Sequence, residues 1–273
     1  MPLILKALIL GIVEGITEFL PISSTGHMII VGHFLNFKGD FALLFEIVIQ
    51  LGAILAIIVL YRNKIYDSFK NLLPGYYGFK LWSNIIISFI PFGIIAFIFH
   101  DKVEEILMKP LPVSIALLVG GIWMIYAEKK YKKNCKTVRM EDINYKQAFI
   151  IGLFQCLAVL FPGFSRSAAT IIGGWIVGLS TVAAAEFSFF LALPTMIIAT
   201  GYSLLETELI LSSTEIISLI VGFIVSFFIA LILVEKFITY LKHKTMRGFA
   251  FYRIIIGVLI LTMIQLNIFK MFS

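Results

Sequence analysis

The sequence predicts an all-α, polytopic membrane protein forming one integral membrane domain over residues 1–273. Three observations carry that prediction. Six apolar runs are each long enough to cross about 30 Å of hydrocarbon at a rise of about 1.5 Å per residue. Apolar residues make up 60% of the chain and charged residues 14%, whereas soluble domains average roughly 45–50% and about 25%. The basic residues, which give a net charge of +6, fall mainly in short loops between the runs.

The runs lie near 42–61, 81–99, 111–127, 183–203, 216–235 and 249–267. Loops 62–80, 128–146 and 236–248 are basic, the second with seven Lys and Arg, while 101–110 is mixed and 204–215 holds three glutamates and no base. The positive-inside rule places the basic loops in the cytoplasm and the other two outside. Run three then ends inside and run four begins inside, so residues 147–180 must enter the membrane and return. By the same logic residues 1–40 start and finish outside. Both segments are apolar but broken by Pro and Gly, and both are predicted as re-entrant helix-loop-helix elements whose loop backbone needs protein or a wet cavity for partners.

The broken segments also match each other. GIVEGITEFLPISS (11–24) against GLFQCLAVLFPGFS (152–165) pairs Gly11 with Gly152, Pro21 with Pro162 and Ser24 with Ser165, with Glu14 opposite its neutral isostere Gln155. Glu46 with Glu186, Ser88 with Ser226 and Gly120 with Gly257 continue the series in order. The halves, ~1–127 and ~142–267, contain odd numbers of spans and so form a predicted inverted-topology repeat, joined by the basic loop ~128–146, with polar sites expected where broken helices meet near the midplane.

Other classes fit poorly. Lysines clustered between spans report topology rather than nucleic-acid binding. Glu14 and Glu18 inside the first apolar stretch, with no small-residue cleavage site after it, argue against a cleaved signal peptide. Cys135 and Cys156 lack metal or redox spacing and read as free thiols.

Glu14 and Glu18 stand four apart on one helix face. Two carboxylates in a dry site repel, so they are expected to hold a proton or share a cation; the alternative is a structural pair capped by backbone amides. After Pro21 come Ser23, Ser24, Thr25, Gly26 and His27, hydroxyls and a glycine at a helix restart, which suits anion binding by backbone N–H groups. His27 is placed to serve as base, acid or nucleophile beside Ser24. In the second half PGFSRSAAT (162–170) supplies Arg166, whose planar fork fits phosphate oxygens, with Ser165, Ser167 and Thr170 around it; the lesser alternative is that Arg166 pairs with a glutamate to hold the fold, and both roles can coexist. Loops meeting tip to tip would suit phosphoryl transfer, opening outward. His33 and His100 are expected at span ends and His243 among cytoplasmic lysines. Glu46 and Glu186 either flank the site or bond loop backbone. The 26 phenylalanines fill and coat the bundle, with some available to line a groove for a lipid chain.

EGITEFLPISSTGH (14–27), PGFSRSAAT (162–170), FEIVIQLGAILAI (45–57) and FYRIIIG (251–257) resemble the undecaprenyl-diphosphate phosphatases of the BacA type over nearly the whole chain. The resemblance implies hydrolysis of undecaprenyl diphosphate to the monophosphate and inorganic phosphate in the bacterial inner membrane, recycling the carrier lipid for peptidoglycan, and a link to bacitracin resistance. It implies Glu18, Ser24, His27 and Arg166 as catalytic residues, with Ser24 the nucleophile and Glu14 and Thr25 in support. Ser23, Thr25, Gly26, Ser165, Arg166, Ser167 and Thr170 are the expected phosphate-binding set. A divalent cation, Mg2+ or Ca2+, is implied, with Glu14 and Glu18 its natural ligands. Attack by His27 or by water stays open beside attack by Ser24. The expected partners are the polyprenyl diphosphate and membrane lipid, with no nucleic acid and with a homodimer among the admitted assemblies.

Two other classes fit less well. Lipid phosphatases of the acid-phosphatase superfamily need a second histidine six residues after the arginine, and position 172 is Ile172. A flippase fits the inverted repeat, but a carrier needs a phosphate clamp without a nucleophile beside a base.

Overall fold

The computed structural model describes residues 1–206 and 211–268, except the side chains of His100, Asp101, Lys102, Glu104, Glu105, Ser203 and Glu206. The span-end placement expected for His100, and Glu206 and Glu208 of loop 204–215, therefore lie outside the described residues.

The described backbone is mostly helical, with no strand among the described residues: α1 Leu3–Thr17, α2 Ser24–Phe34, α3 Asp40–Leu60, α4 Arg62–Lys70, α5 Tyr77–Leu107, α6 Pro110–Tyr131, α7 Tyr145–Leu160, α8 Arg166–Ile176, α9 Thr181–Glu206, α10 Ser213–His243 and α11 Arg247–Gln265. Six helices, α3, α5, α6, α9, α10 and α11, are long and apolar enough to cross a membrane, so the chain is a multi-pass membrane protein. Each covers one predicted run, apart from the last one or two residues of runs 42–61 and 249–267, and α10 continues well past its run into the basic loop. The short helices α1, α2, α7 and α8 have 15, 11, 16 and 11 residues, about 17 to 24 Å at the α-helical rise.

Local signals set several ends. Asn144 with Gln147 and Ser212 with Glu215 form reciprocal capping boxes at the starts of α7 and α10, satisfying backbone N–H groups that have no intrahelical partner. Pro110 and Pro112 open α6, where a missing N–H costs nothing.

Small residues decide the packing. In lipid there is no hydrophobic drive between helices, so close backbone approach takes its place. Helix α1 lies along α10, α7 along α5, and α6 along α11. A Cβ on Gly15 would stand 2.7 Å from the Ser226 carbonyl, and one on Gly152 would strike the Ser88 carbonyl. Hydrogen bonds reinforce these approaches: Ser226 Oγ donates to the Ile49 carbonyl at 2.8 Å and Ser88 Oγ to the Ala148 carbonyl at 2.6 Å. The result brings the α1–α2 break against the α7–α8 break.

Candidate active site

Both breaks follow a proline and restart on a serine. Pro21 and Ile22 lead to Ser23, with φ of 71°; Pro162, Gly163 and Phe164 lead to Ser165, with φ of 73°. Each serine caps its helix, Ser23 Oγ accepting the Gly26 N–H and Ser165 Oγ the Ala168 N–H, both at 3.3 Å. Positive φ on a non-glycine residue is unfavourable by about 1–3 kcal/mol and persists only where the surroundings impose it. The sequence alignment therefore needs a correction of one residue. The second loop holds one more residue after its proline, and the matching caps are Ser23 and Ser165, not Ser24 and Ser165. Ser24 and Arg166 are then the first residues of α2 and α8.

Glu18, one residue past α1, joins the two loops. Ser24 Oγ donates to Glu18 Oε2 at 2.7 Å, and an Arg166 Nη donates to Glu18 Oε1 at 3.2 Å. The other Arg166 Nη donates to the Ser188 carbonyl of α9 at 3.1 Å, and the guanidinium lies 5.9 Å over the Phe19 ring. Carboxylate, hydroxyl and guanidinium thus form one chain held from three helices.

These groups face a cavity of about 230 Å³. Six of the predicted residues line it: Glu18, Ser23, Ser24, Thr25, Ser165 and Arg166. The N-termini of α2 and α8 converge there, presenting unpaired N–H groups and the positive ends of two helix dipoles.

The other predicted residues lie behind it. Ser167 is fully buried and donates to the Leu20 carbonyl at 3.0 Å, tying one loop to the other. Thr170, also fully buried, donates to the Arg166 carbonyl or to Ser188 Oγ at 3.0 and 2.7 Å. Gly26 packs on Leu117, whose Cδ1 is 2.9 Å from where its Cβ would be. The structure therefore gives these three a bracing place rather than a place on the cavity wall. Glu14 is buried beside Glu18, and its Oε1 has no hydrogen-bond partner. Among the described residues no group of three or more His, Cys, Asp or Glu converges on one point. The Glu14–Glu18 pair is what the site offers a cation, and the orphan Glu14 oxygen suits one, since Mg2+ is commonly bound by one or two carboxylates together with substrate phosphates.

His27 turns away from Ser24. Its Nδ1 is 2.7 Å from the Ser23 carbonyl and its Nε2 2.8 Å from the Tyr252 hydroxyl on α11, and the two rings stack at 8°. A carbonyl only accepts, so Nδ1 carries the proton, and in the neutral ring Nε2 accepts from Tyr252. The hydroxyl of Ser24 is thus bonded to Glu18, not to His27.

Sequence reasoning gave no role to Tyr252 or its neighbour Arg253. Arg253 is fully buried and donates to the carbonyls of Pro21 (3.2 Å), Gly163 (3.3 Å) and Ala116 (3.5 Å), clamping both loops. Its guanidinium fills the space a Cβ on Gly120 would need. The signal was available: an arginine inside the sixth apolar run is as conspicuous as glutamates inside the first. Glu46 stands within charge range of Glu14, whereas its predicted mate Glu186 lies 3.5 Å from Lys64, which also pairs with Glu141 at 2.6 Å.

A family model described as bacitracin resistance protein BacA matches residues 7–259. An undecaprenyl-diphosphatase of Clostridium novyi (strain NT) is 55% identical, covering 98% of both chains. Undecaprenyl-diphosphatases of Clostridium tetani (51%; 99% of this chain and 98% of the relative) and Caldanaerobacter subterraneus subsp. tengcongensis (53%; 99% of both) are similar over the same extent.

Proposed function

The chain belongs to the BacA family, and from that membership we infer that it is an undecaprenyl-diphosphatase, a membrane phosphatase hydrolysing undecaprenyl diphosphate to undecaprenyl phosphate and inorganic phosphate. The family's name ties it to bacitracin resistance, and its reaction returns carrier lipid to cell-wall synthesis.

The observation that carries the chemistry is the Ser24–Glu18–Arg166 chain on the cavity wall. Arg166 and the two helix N-termini hold the terminal phosphate and absorb the charge that develops on its oxygens, which is most of what phosphoryl transfer asks of a protein. Ser24 Oγ attacks the terminal phosphorus while its proton passes to Glu18 Oε2 and on to the lipid monophosphate as that group leaves, which restores the carboxylate. Water then cleaves the phosphoserine, with Glu18 as base. His27 holds the Ser23 carbonyl and so fixes the strained turn that aims Ser24. Glu14 and Glu18 would hold a divalent cation, Mg2+ or Ca2+, which when bound neutralises phosphate charge.

The membrane is the bacterial inner membrane, with the cavity opening to the extracytoplasmic side; the basic loops at the opposite ends of the spans support that orientation. Residues 1–40 and 147–180 are re-entrant, a reading supported by helices too short to cross about 30 Å. The halves form an inverted repeat, supported by the reciprocal pairing of α1 with α10 and α7 with α5. A homodimer is the assembly to test, by native mass measurement in detergent.

Phosphate release from undecaprenyl diphosphate by the purified protein in detergent tests the function, comparing wild type with Arg166→Ala and His27→Ala, each with and without EDTA. Release by wild type and its loss in both folded variants is expected. No release by a folded, lipid-supplemented wild type would overturn the enzyme in favour of a lipid carrier.

A further inference from the structure

Eight polar side chains line the cavity. Six belong to the two loops, and the other two, Gln50 of α3 and Thr195 of α9, come from spanning helices. Thr195 is already committed. Its hydroxyl donates to the Leu191 carbonyl at 2.8 Å and accepts from Gln155 Nε2 at 3.2 Å. Gln50 is not committed. Among the described residues its side-chain amide has no hydrogen-bond partner, although it stands half-buried in the middle of an apolar span. A buried amide without a partner is disfavoured by about 1–3 kcal/mol. Gln50, in the apolar stretch FEIVIQLGAILAI, therefore needs a partner from whatever fills the cavity.

The backbone under Gln50 is fixed on both sides. The Ile49 carbonyl accepts from Ser226 Oγ at 2.8 Å, and Gly52 lies so close to the Phe223 carbonyl that a Cβ would strike it. Helix α3 packs on α1, α9 and α10, so Gln50 enters the cavity from a wall other than the starts of α2 and α8. A group on a rigid element is held more precisely than one on a loop, and this one offers both donors and an acceptor.

The reaction has a step that the loops alone do not equip. Attacking and leaving oxygens stand roughly in line across the phosphorus. Ser24 Oγ attacks from the loop side, so the lipid phosphate departs from the far side, and the water that cleaves the phosphoserine must arrive there. On the loop side Arg166 and the N–H groups of two helix starts hold phosphate oxygens. A water aimed at phosphorus needs a neighbour that donates to one of its lone pairs and accepts one of its protons. A side-chain amide does both, and a glutamine orients the attacking water in this way in other phosphoryl transfers.

We propose that Gln50 orients the hydrolytic water of the second step; this rests on the phosphatase reading above and on its phosphoserine. The water oxygen bonds to phosphorus as the bond to Ser24 Oγ breaks. One water proton passes through Glu18 to Ser24 Oγ, and the other stays on the released phosphate. Gln50 neither gains nor loses a proton.

The test is rapid-quench and steady-state kinetics with undecaprenyl diphosphate radiolabelled on its terminal phosphate. Wild type is compared with Gln50→Met, which keeps the length and loses the amide, and with Gln50→Asn, which keeps the amide but withdraws it by a methylene and serves where Gln50→Met does not fold. Slowing the second step alone is expected to lower kcat and KM together, by about ten- to hundred-fold, while kcat/KM stays within about two-fold. Undecaprenyl phosphate should appear in a burst of about one per enzyme ahead of inorganic phosphate, with the label held on Ser24. A merely structural role would lower kcat/KM as well. A KM that rises at constant kcat would make Gln50 a substrate-binding residue, and equal losses in kcat and kcat/KM with no label on the protein would place it in the first step. Either result, or unchanged kinetics, overturns the proposal. An inactive wild type overturns the phosphatase reading, whereas an active Ser24→Ala enzyme overturns only the phosphoserine; the proposal falls with either.

Discussion

Ser24 and Arg166 occupy the same position in two matching turns, each the first residue of a helix whose preceding serine has φ near 72° (71° and 73°). One position carries a hydroxyl and the other a guanidinium, and Glu18 accepts from both. Two turns of one geometry thus supply the unlike halves of the site proposed for phosphoryl transfer.

Glu18→Gln keeps the shape of the side chain but removes its capacity as a base. General base catalysis contributes about 10²- to 10⁴-fold, so phosphate release is expected to fall by that order at unchanged folding. Ser24→Ala should fall as far. An active Ser24→Ala would show that water or His27 attacks directly.

Tyr252→Phe removes the hydrogen bond to His27 Nε2 and leaves the ring stack. A neutral hydrogen bond contributes about 0.5–1.5 kcal/mol, so kcat is expected to drop about two- to ten-fold, with KM steady. Steady-state kinetics on undecaprenyl diphosphate would show this, and a fall confined to KM would argue that Tyr252 contacts substrate instead.

Arg253→Met keeps the length and loses all the donors. The carbonyls of Pro21 and Gly163 are then left in a buried setting, each at about 1–3 kcal/mol. Thermal unfolding in detergent is expected to show a large loss, and activity should fall even at temperatures where the variant stays folded, because the clamp on both loop carbonyls is gone.

Glu141, in the basic loop between α6 and α7, gives a pH dependence. Burial pushes its carboxyl up, but a hydrogen bond from Lys64, a backbone N–H and the charges of Lys64 and Arg139 outweigh this and hold it below the usual carboxylate value of 4.5. On acidification the unfolded chain takes up this proton first, so the stabilisation is full above that value and is lost as pH falls through the lower folded value. Melting temperatures of wild type and Glu141→Gln should differ at pH 7 and converge toward pH 3. A gap that widens on acidification would contradict this origin.

EDTA is expected to depress phosphate release, with Mg2+ or Ca2+ restoring it. Glu14→Gln should raise the cation concentration needed for half-restoration. Identical titrations in the two proteins would remove Glu14 from the cation's ligands.

The spans were legible because hydrocarbon thickness leaves little freedom: runs such as 216–235 could only be crossing helices. The residues at the breaks were legible because Glu18 and Arg166 are charges with no cheap place in lipid. What did not show was direction. Ser167 and Thr170 sit in the same motif as Arg166, and only the turn of α8 sends their hydroxyls to Leu20 and Ser188 instead of the cavity. His27 stands three residues from Ser24, which suggested partnership. Its orientation depends on Tyr252, 225 residues away, a separation that no local pattern encodes.

Arg253 also sets an order of events during synthesis. The carboxylate loop is translated among the first twenty-odd residues, yet its brace belongs to α11 and its packing surface to α10. Until those helices have left the ribosome and entered the bilayer, the two turns can meet through Ser167 and Arg166 but lack the Arg253 clamp on their carbonyls. The site of the newborn enzyme therefore gains its full bracing only when nearly the whole chain is in place.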